Sequence, residues 1–362
     1  MEKRILTFCI LSFLCFLYSD STDFTVEKIL PIENFKNLIL EGNIDFFFTQ
    51  SDDVSLVLKV KKESDFEHLK YEYKRNTLTI INRNENHSKS RRFFVIYNNS
   101  EITPKIMLYV NAPNIEEISK SGGGIVNFSP GAVLPKLDLK HSAGGRTELN
   151  DIIISFFNLN KSGGGVVNLS GTADFVNLQT SGGGNINAEK FIIKKAKINS
   201  SGGGRINAQV SEELHLTTSG GGSVNLSGTA EVAVIQTSGG GTLNAENLSI
   251  KKANITTSGG GRITANVSDL IEINTSGGST INLSGTANYA GINQRSGGRL
   301  NAGDFVIENA NINLSGGVSG TIHVTEMLDI KMSGGGRLLY RGNPRIKQSL
   351  SGGASLINED YI

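Results

Sequence analysis

Beyond residue 15 the chain has no cysteine; its two, Cys9 and Cys15, lie close to the N-terminus. That removes disulfide frameworks, thiolate metal sites and cysteine nucleophiles from everything downstream. Tryptophan is absent, and the 6 prolines in 362 residues exclude collagen and Pro-rich linkers. Neither sign of charge dominates: 35 Lys+Arg face 34 Asp+Glu, for a net charge of +1. A nucleic-acid partner, which calls for a basic face, is therefore not expected, and neither is an anionic membrane surface. No segment after the N-terminal region approaches the ~18 apolar residues of a membrane-spanning helix. The chain is rich in glycine, with 43 residues, well above the usual ~7 %.

Residues 1–21 read MEKRILTFCILSFLCFLYSDS. Lys3 and Arg4 precede an apolar run from Ile5 to Tyr18, and Ser19 and Ser21 suit a cleavage site. This is the pattern of a signal peptide. Leu14 stands before Cys15 where a lipoprotein signal needs a small residue, so lipidation is not expected. The expectation is an exported protein with no integral membrane segment, both cysteines leaving with the signal.

The remainder divides at residue 121. From there to residue 362 a Ser-Gly-Gly motif, or a near variant, recurs thirteen times between Ser121 and Ser351, about every 19 residues. A longer period overlies it: Ser162, Ser219, Ser276 and Ser333 are 57 residues apart. SGGGVVNLSGTADF from Ser162 matches SGGGSVNLSGTAEV from Ser219, and IIKKAKI (Ile192 to Ile198) matches SIKKANI (Ser249 to Ile255). The unit reads as three coils repeated in tandem. Five residues after each Ser stands an aliphatic such as Val167, Ile186 or Val224, and two further on another apolar residue such as Leu169, Ala188 or Leu226. This alternation predicts strands with one buried face. Glycine at each corner suits a sharp turn and the ~4.8 Å approach of stacked coils. The architecture predicted is all-β, a parallel β-solenoid and preferably a right-handed β-helix, with thirteen coils spanning roughly 60 Å.

Residues 22–120 lack the motif and form a strand-rich N-terminal part, the first coils or a cap over an end that would otherwise template aggregation. Strands are expected at Leu38 to Thr49, Ser55 to Val60, Leu69 to Asn82 with a turn near Arg75 and Asn76, Phe93 to Tyr97, and Lys105 to Val110. Asn82 to Arg92 reads as a polar, basic, solvated excursion.

FKNLILEGNIDFFFTQSDDVSLVLK, then KIMLYVNAPNIEEISKSGGGIVNF, then serial SGGG-x-I-N units and the closing GGRLLYRGNPRIKQSLSGGAS resemble the head domain of auto-transporter adhesins, the GIN domain. The resemblance covers about residues 30–357. It implies a secreted or surface β-solenoid with a role in adhesion, and supplies no catalytic residues. No coiled-coil stalk or membrane barrel follows the array, so self-anchoring is not expected.

Catalytic signatures are not found. Acidic residues such as Asp174, Glu189, Glu246 and Asp304 are scattered singly. His68, His87, His141, His215 and His323 form no HxH or HExxH pair. The Ser before each glycine pair is present too often to be a nucleophile, and no Walker Lys or helix follows the glycines. No cofactor or metal is expected. Sequons at Asn168, Asn225 and Asn282 arise from the repeat itself. The candidate binding residues are Asn127, Asn168, Asn187, Asn207, Asn225, Asn244 and Asn282, one per coil between the two apolar positions, with Thr264 as an exception. In register they would form an amide ladder. That ladder either only holds the coils together or also offers a hydrogen-bonding strip to a glycan or envelope polymer. Lys194-Lys195 and Lys251-Lys252 recur at 57 residues and read as a solvated face. The functional expectation is a non-enzymatic exported adhesin or surface-binding protein. The alternatives are a periplasmic structural protein and a solenoid carbohydrate-active enzyme.

Overall fold

The computed structural model describes residues 24–32, 34–83, 104–142 and 144–361. The signal-peptide reading, His87, the expected strand Phe93 to Tyr97 and most of the polar excursion lie outside the described residues. The chain is nearly all-β, a parallel β-solenoid of about 12 turns. From Arg146 to Ser333 each coil is one long strand, whereas the first coil (Ile125–Phe128, Val133–Ser142) and the last (Arg337–Arg341, Arg345–Ser351) are two short ones as expected. Val166–Thr180, Asn185–Ser200 and Arg205–Thr218 each run unbroken from one glycine corner to the next. Each pairs in parallel with the coil before and after it.

The bends inside a coil are visible as lapses in the alternation. Along Arg146–Ser162 the buried residues are Thr147, Leu149, Ile152, Ile154, Phe157, Leu159 and Lys161, and Asn150-Asp151 and Ser155-Phe156 are the two places where adjacent residues both face outward. Three short inward-facing runs therefore surround one core. Coil length varies at the bends. Ala188 pairs with Ala208 and Ile192 with Gln209, so the longer coil bulges there, and a smaller opposite shift follows between Ile193 and Lys195.

The 57-residue period has a packing basis. Phe191, Leu248 and Phe305 occupy that bulge in every third coil, and all three are fully buried. One coil earlier stand Gly171, Gly228 and Gly285, with φ of +113°, +103° and +100°. A Cβ there would lie 2.0 to 2.2 Å from the carbonyl oxygen of the preceding coil, so both conformation and space demand glycine.

The array begins before the first Ser-Gly-Gly. The expected strand Leu38 to Thr49 is broken at Gly42 and Asn43 into Asn37–Gly42 and Ile44–Gln50, which stack under Glu117–Ser121 and Ile125–Phe128. Gly42, at φ +97°, turns that corner. Thr77–Asn82 and Ile106–Ala112 form a further layer beneath. Antiparallel strands then close the end: Leu69–Lys74 folds back on Thr77–Asn82, and Ser55–Val60 lies between Ile106–Ala112 and Val26–Ile29. The hairpin turn is Arg75-Asn76, at φ +50° and +62°, the twist that two-residue hairpins favour. The core at this end is aromatic, with Phe128 4.7 Å from Phe48 and 6.3 Å from Phe46 between ring centres.

Candidate binding face

All seven predicted asparagines fall on one row. Register runs Asn127, Glu148, Asn168, Asn187, Asn207, Asn225, Asn244, Thr264, Asn282 and Asn301. Parallel in-register stacking sets side chains one coil apart at hydrogen-bond reach. The Asn187 amide donates to Asn168 Oδ1 at 2.7 Å, and Asn225 donates to Asn207 at 2.7 Å. Asn301 donates to Asn282 at 2.8 Å, and Asn282 to Thr264 Oγ1 at 3.3 Å. Asn168 donates to the Glu148 carboxylate at 2.7 Å. Asn244 departs from the pattern: its Oδ1 accepts from the Glu246 amide. Asn301 was hidden from sequence reading because its corner, Ser296-Gly-Gly-Arg, is one glycine short.

A second polar row stands on the other side of the glycine corner, at the outward position two residues before most corner serines. It runs Asn160, Gln179, Asn199, Thr217, Gln236, Thr256, Asn274, Asn293 and Asn313. Asn293 donates to Asn274 at 3.1 Å and Asn313 to Asn293 at 3.0 Å. A groove of about 370 Å³ lies along this row between Lys140 and Thr217, with Ser142, Ser162, Ser181, Ser201 and Ser219 on its other wall. Because the row mixes Asn, Gln and Thr, no single residue marks it in the sequence.

The glycines between the two rows have distinct roles. A Cβ on Gly202 would sit 1.9 Å from the Gly182 carbonyl oxygen, and one on Gly204 2.1 Å from that of Gly184. The middle glycines Gly183, Gly203, Gly221, Gly240 and Gly260 have nothing within 4 Å, and none has a positive φ. The corner is therefore bare backbone, flanked by hydrogen-bonding side chains on both sides.

Inside the corner lies a buried cationic row that sequence reading missed. Lys120, His141 and Lys161, each the residue before a corner Ser, stack in register and are almost wholly inaccessible. Lys120 Nζ donates to the carbonyls of Gly42 at 2.8 Å, Ser121 at 3.1 Å and Gly123 at 2.5 Å. Lys161 likewise caps Ser162 and Gly164. Desolvation pushes the Lys120 ammonium down to about 8, with Asp45 opposing. Burial, then the charges of Lys161 and Lys120, push His141 down to about 4. His141 Nδ1 is 3.0 Å from Thr147 Oγ1. Further along, the row continues as Thr180, Ser200, Thr218, Thr237, Thr257, Thr275 and Gln294.

The lysine pairs do not form a free basic line: Lys194 binds Asp174 at 2.7 Å, Lys195 lies 3.5 Å from Glu213, and Lys251 binds Glu231 at 3.0 Å. Among the described residues no group of three or more His, Cys, Asp or Glu could hold a metal ion, and no helix is long and apolar enough to cross a membrane.

Fold and face together define a glycine-cornered parallel β-solenoid with a repetitive polar surface. The family model described as "Putative auto-transporter adhesin, head GIN domain" matches residues 34–230, 211–281 and 268–344, and the chain belongs to that family. The match agrees with the resemblance read from the opening, repeat and closing segments. No curated protein matches the chain. Among solved structures, a putative adhesin from Bacteroides fragilis NCTC 9343 is 18 % identical over 71 % of this chain and 96 % of its own, with a TM-score of 0.42. A putative lipid binding protein from Parabacteroides distasonis ATCC 8503 is 19 % identical over 92 % of this chain and 96 % of its own, with a TM-score of 0.32. A putative adhesin from that same strain is 15 % identical over 92 % of this chain and 96 % of its own, with a TM-score of 0.33.

Proposed function

We propose that this chain is a non-enzymatic, exported rod that recognises a glycan or cell-surface polymer along its glycine corner. The observation that carries the reading is the pair of in-register polar ladders on either side of a bare backbone corner, one of them bordering a groove. A polymer of repeating hydroxyls can meet the same donors and acceptors coil after coil, and weak contacts then add up through repetition. Membership of a family named for adhesins supports the same reading. The carboxylates speak against a carbohydrate-cleaving site: Glu117 and Asp138 are register partners, but Lys140 and Lys136 hold them in ion pairs. Glu189 and Glu246 occupy equivalent positions three coils apart, about 14 Å at ~4.8 Å per coil, beyond the roughly 6.5–9.5 Å of an inverting pair. Asp174 is held by Lys194.

The test is binding of the purified chain to a panel of immobilised polysaccharides, alongside surface proteolysis of intact host cells. The proposal expects a polymer that binds in the panel, and protein cut by protease on intact cells. Binding to no polymer, with protein shielded inside the envelope, would overturn it in favour of a periplasmic structural role.

A further inference from the structure

Between the bare corner and the asparagine ladder runs a third row. Its register is Arg146, Val166, Asn185, Arg205, Ser223, Thr242, Arg262, Thr280, Arg299, Ser319, Arg337 and Ser355. It contains five arginines, all exposed, and no acid. The residues between the arginines are mostly small and polar. Arg146 lies 3.6 Å from Glu148, the one acid on the neighbouring asparagine row. Arg205, Arg262, Arg299 and Arg337 face neither an acid on their own row nor one on that ladder. They are separated by three, two and two coils, roughly 14, 10 and 10 Å at ~4.8 Å per coil.

We propose that this row binds a linear acidic polysaccharide, its carboxylate or sulfate groups on the guanidiniums and its hydroxyls on the adjacent amide ladder. The inference rests on the reading of this face as a polymer-binding surface and deepens it by naming the polymer's charge. Three features of the surface converge on it. Guanidinium is the side chain suited to planar, bidentate recognition of carboxylate or sulfate. A net charge of +1 spread over the whole chain becomes, on this one line, a field of one sign. The middle glycines that precede the row keep the corner free of side chains although neither φ nor packing requires glycine there. Glycine loses more backbone entropy on folding than alanine, so an approaching chain gives the repetition a reason. The row has no stacking surface, which disfavours nucleic acid: single strands call for aromatic platforms, whereas Phe156, Phe175 and Tyr289 share a different row.

The experiment compares polygalacturonate, chondroitin sulfate, dextran and single-stranded DNA as ligands of the full chain. Two variants are used: R205Q/R262Q/R299Q/R337Q, and the charge-matched control K194Q/K195Q/K251Q/K252Q. Thermal unfolding of each variant checks the fold, and the single variant R262Q provides a graded reading. The inference expects both acidic polymers to bind and dextran to bind more weakly. Added salt should weaken the acidic binding, the arginine variant should lose about tenfold or more in affinity, and the lysine variant should keep it. Equal binding of dextran with no effect of the arginine substitutions would overturn the inference and leave the polymer reading standing. Preference for single-stranded DNA would overturn it in favour of nucleic acid. Binding of none of these ligands by wild type would overturn the acidic-polysaccharide inference, and the broader polysaccharide panel then decides the parent reading separately.

Discussion

At the scale of single residues, the corner separates two kinds of glycine that look identical in the sequence. Gly202 is required because a coil's backbone passes where its Cβ would be, whereas Gly203 projects into open space. Gly202→Ala should cost at least about 2 kcal/mol, because backbone rather than a side-chain tip must move. Gly203→Ala should be neutral, or stabilising by up to about 1 kcal/mol through the unfolded chain. Denaturant midpoints of the two variants check this, and equal losses would contradict the assignment. The buried histidine gives a second test. His141 titrates near 6.5 when unfolded and at about 4 in the fold. Below pH 6.5 the unfolded chain takes up a proton that the native state refuses. The stability from this site is therefore whole above pH 6.5 and falls as pH drops to about 4, by on the order of 3 kcal/mol. His141→Thr, which continues the polar row found in later coils, should flatten that part of the pH profile when unfolding is compared at pH 7.5 and 4.5. An unchanged slope would place the acid sensitivity elsewhere. Lys120 acts in the opposite range: with its folded value at about 8, stability rises as pH climbs from there towards 10.5.

At the scale of the coil, two different forces hold neighbours together. Phe191, Leu248 and Phe305 fill the bulge of every third coil, so Phe305→Ala should cost roughly 3–5 kcal/mol by leaving a cavity. The amide ladder is only half-buried, and Asn225→Ala should cost about 0.5–1.5 kcal/mol, the net worth of one hydrogen bond. Chemical unfolding of the two variants ranks them, and a ladder substitution as costly as the core one would refute this division. The coil is also where the limits of reading a sequence are clearest. Alternation around the Gly-Gly corner marked the strands after each Ser, and the ladder asparagines followed because one residue type repeats at one offset. The arginine row did not stand out. Its members recur only every two or three coils, so only register shows that Arg205, Arg262, Arg299 and Arg337 lie on one line. The buried Lys120 and Lys161 were equally hidden, since lysine reads as solvated until the corner carbonyls that hold it are placed. The break at Gly42 was missed because LEGNI carries a single glycine and no Ser-Gly-Gly.

At the scale of the molecule, each coil touches only its neighbours, and stability is a sum of coil and interface contributions. The two ends differ. Aromatic packing of Phe46, Phe48 and Phe128 and a cap of antiparallel strands close the N-terminal end. The late strand Arg345–Ser351 is exposed along its whole length. Hydrogen exchange should therefore show the C-terminal coils opening first. Phe305→Ala should accelerate exchange in coils near it while leaving Asn37–Gln50 protected. Uniform acceleration along the array would instead mean one cooperative unit. The same regularity is what makes a single face functional: identical corners at ~4.8 Å intervals present one chemistry many times.

The most direct test of that central claim is to obstruct the corner without touching the fold. The middle glycines have open space, so G183Q/G221Q/G260Q should melt at the wild-type temperature. Binding of this variant to whichever polysaccharide the wild type retains is then measured. Strongly reduced binding with an unchanged melting temperature is the predicted result. Undiminished binding by an equally stable variant would show that the glycine corner is not the face that meets the polymer.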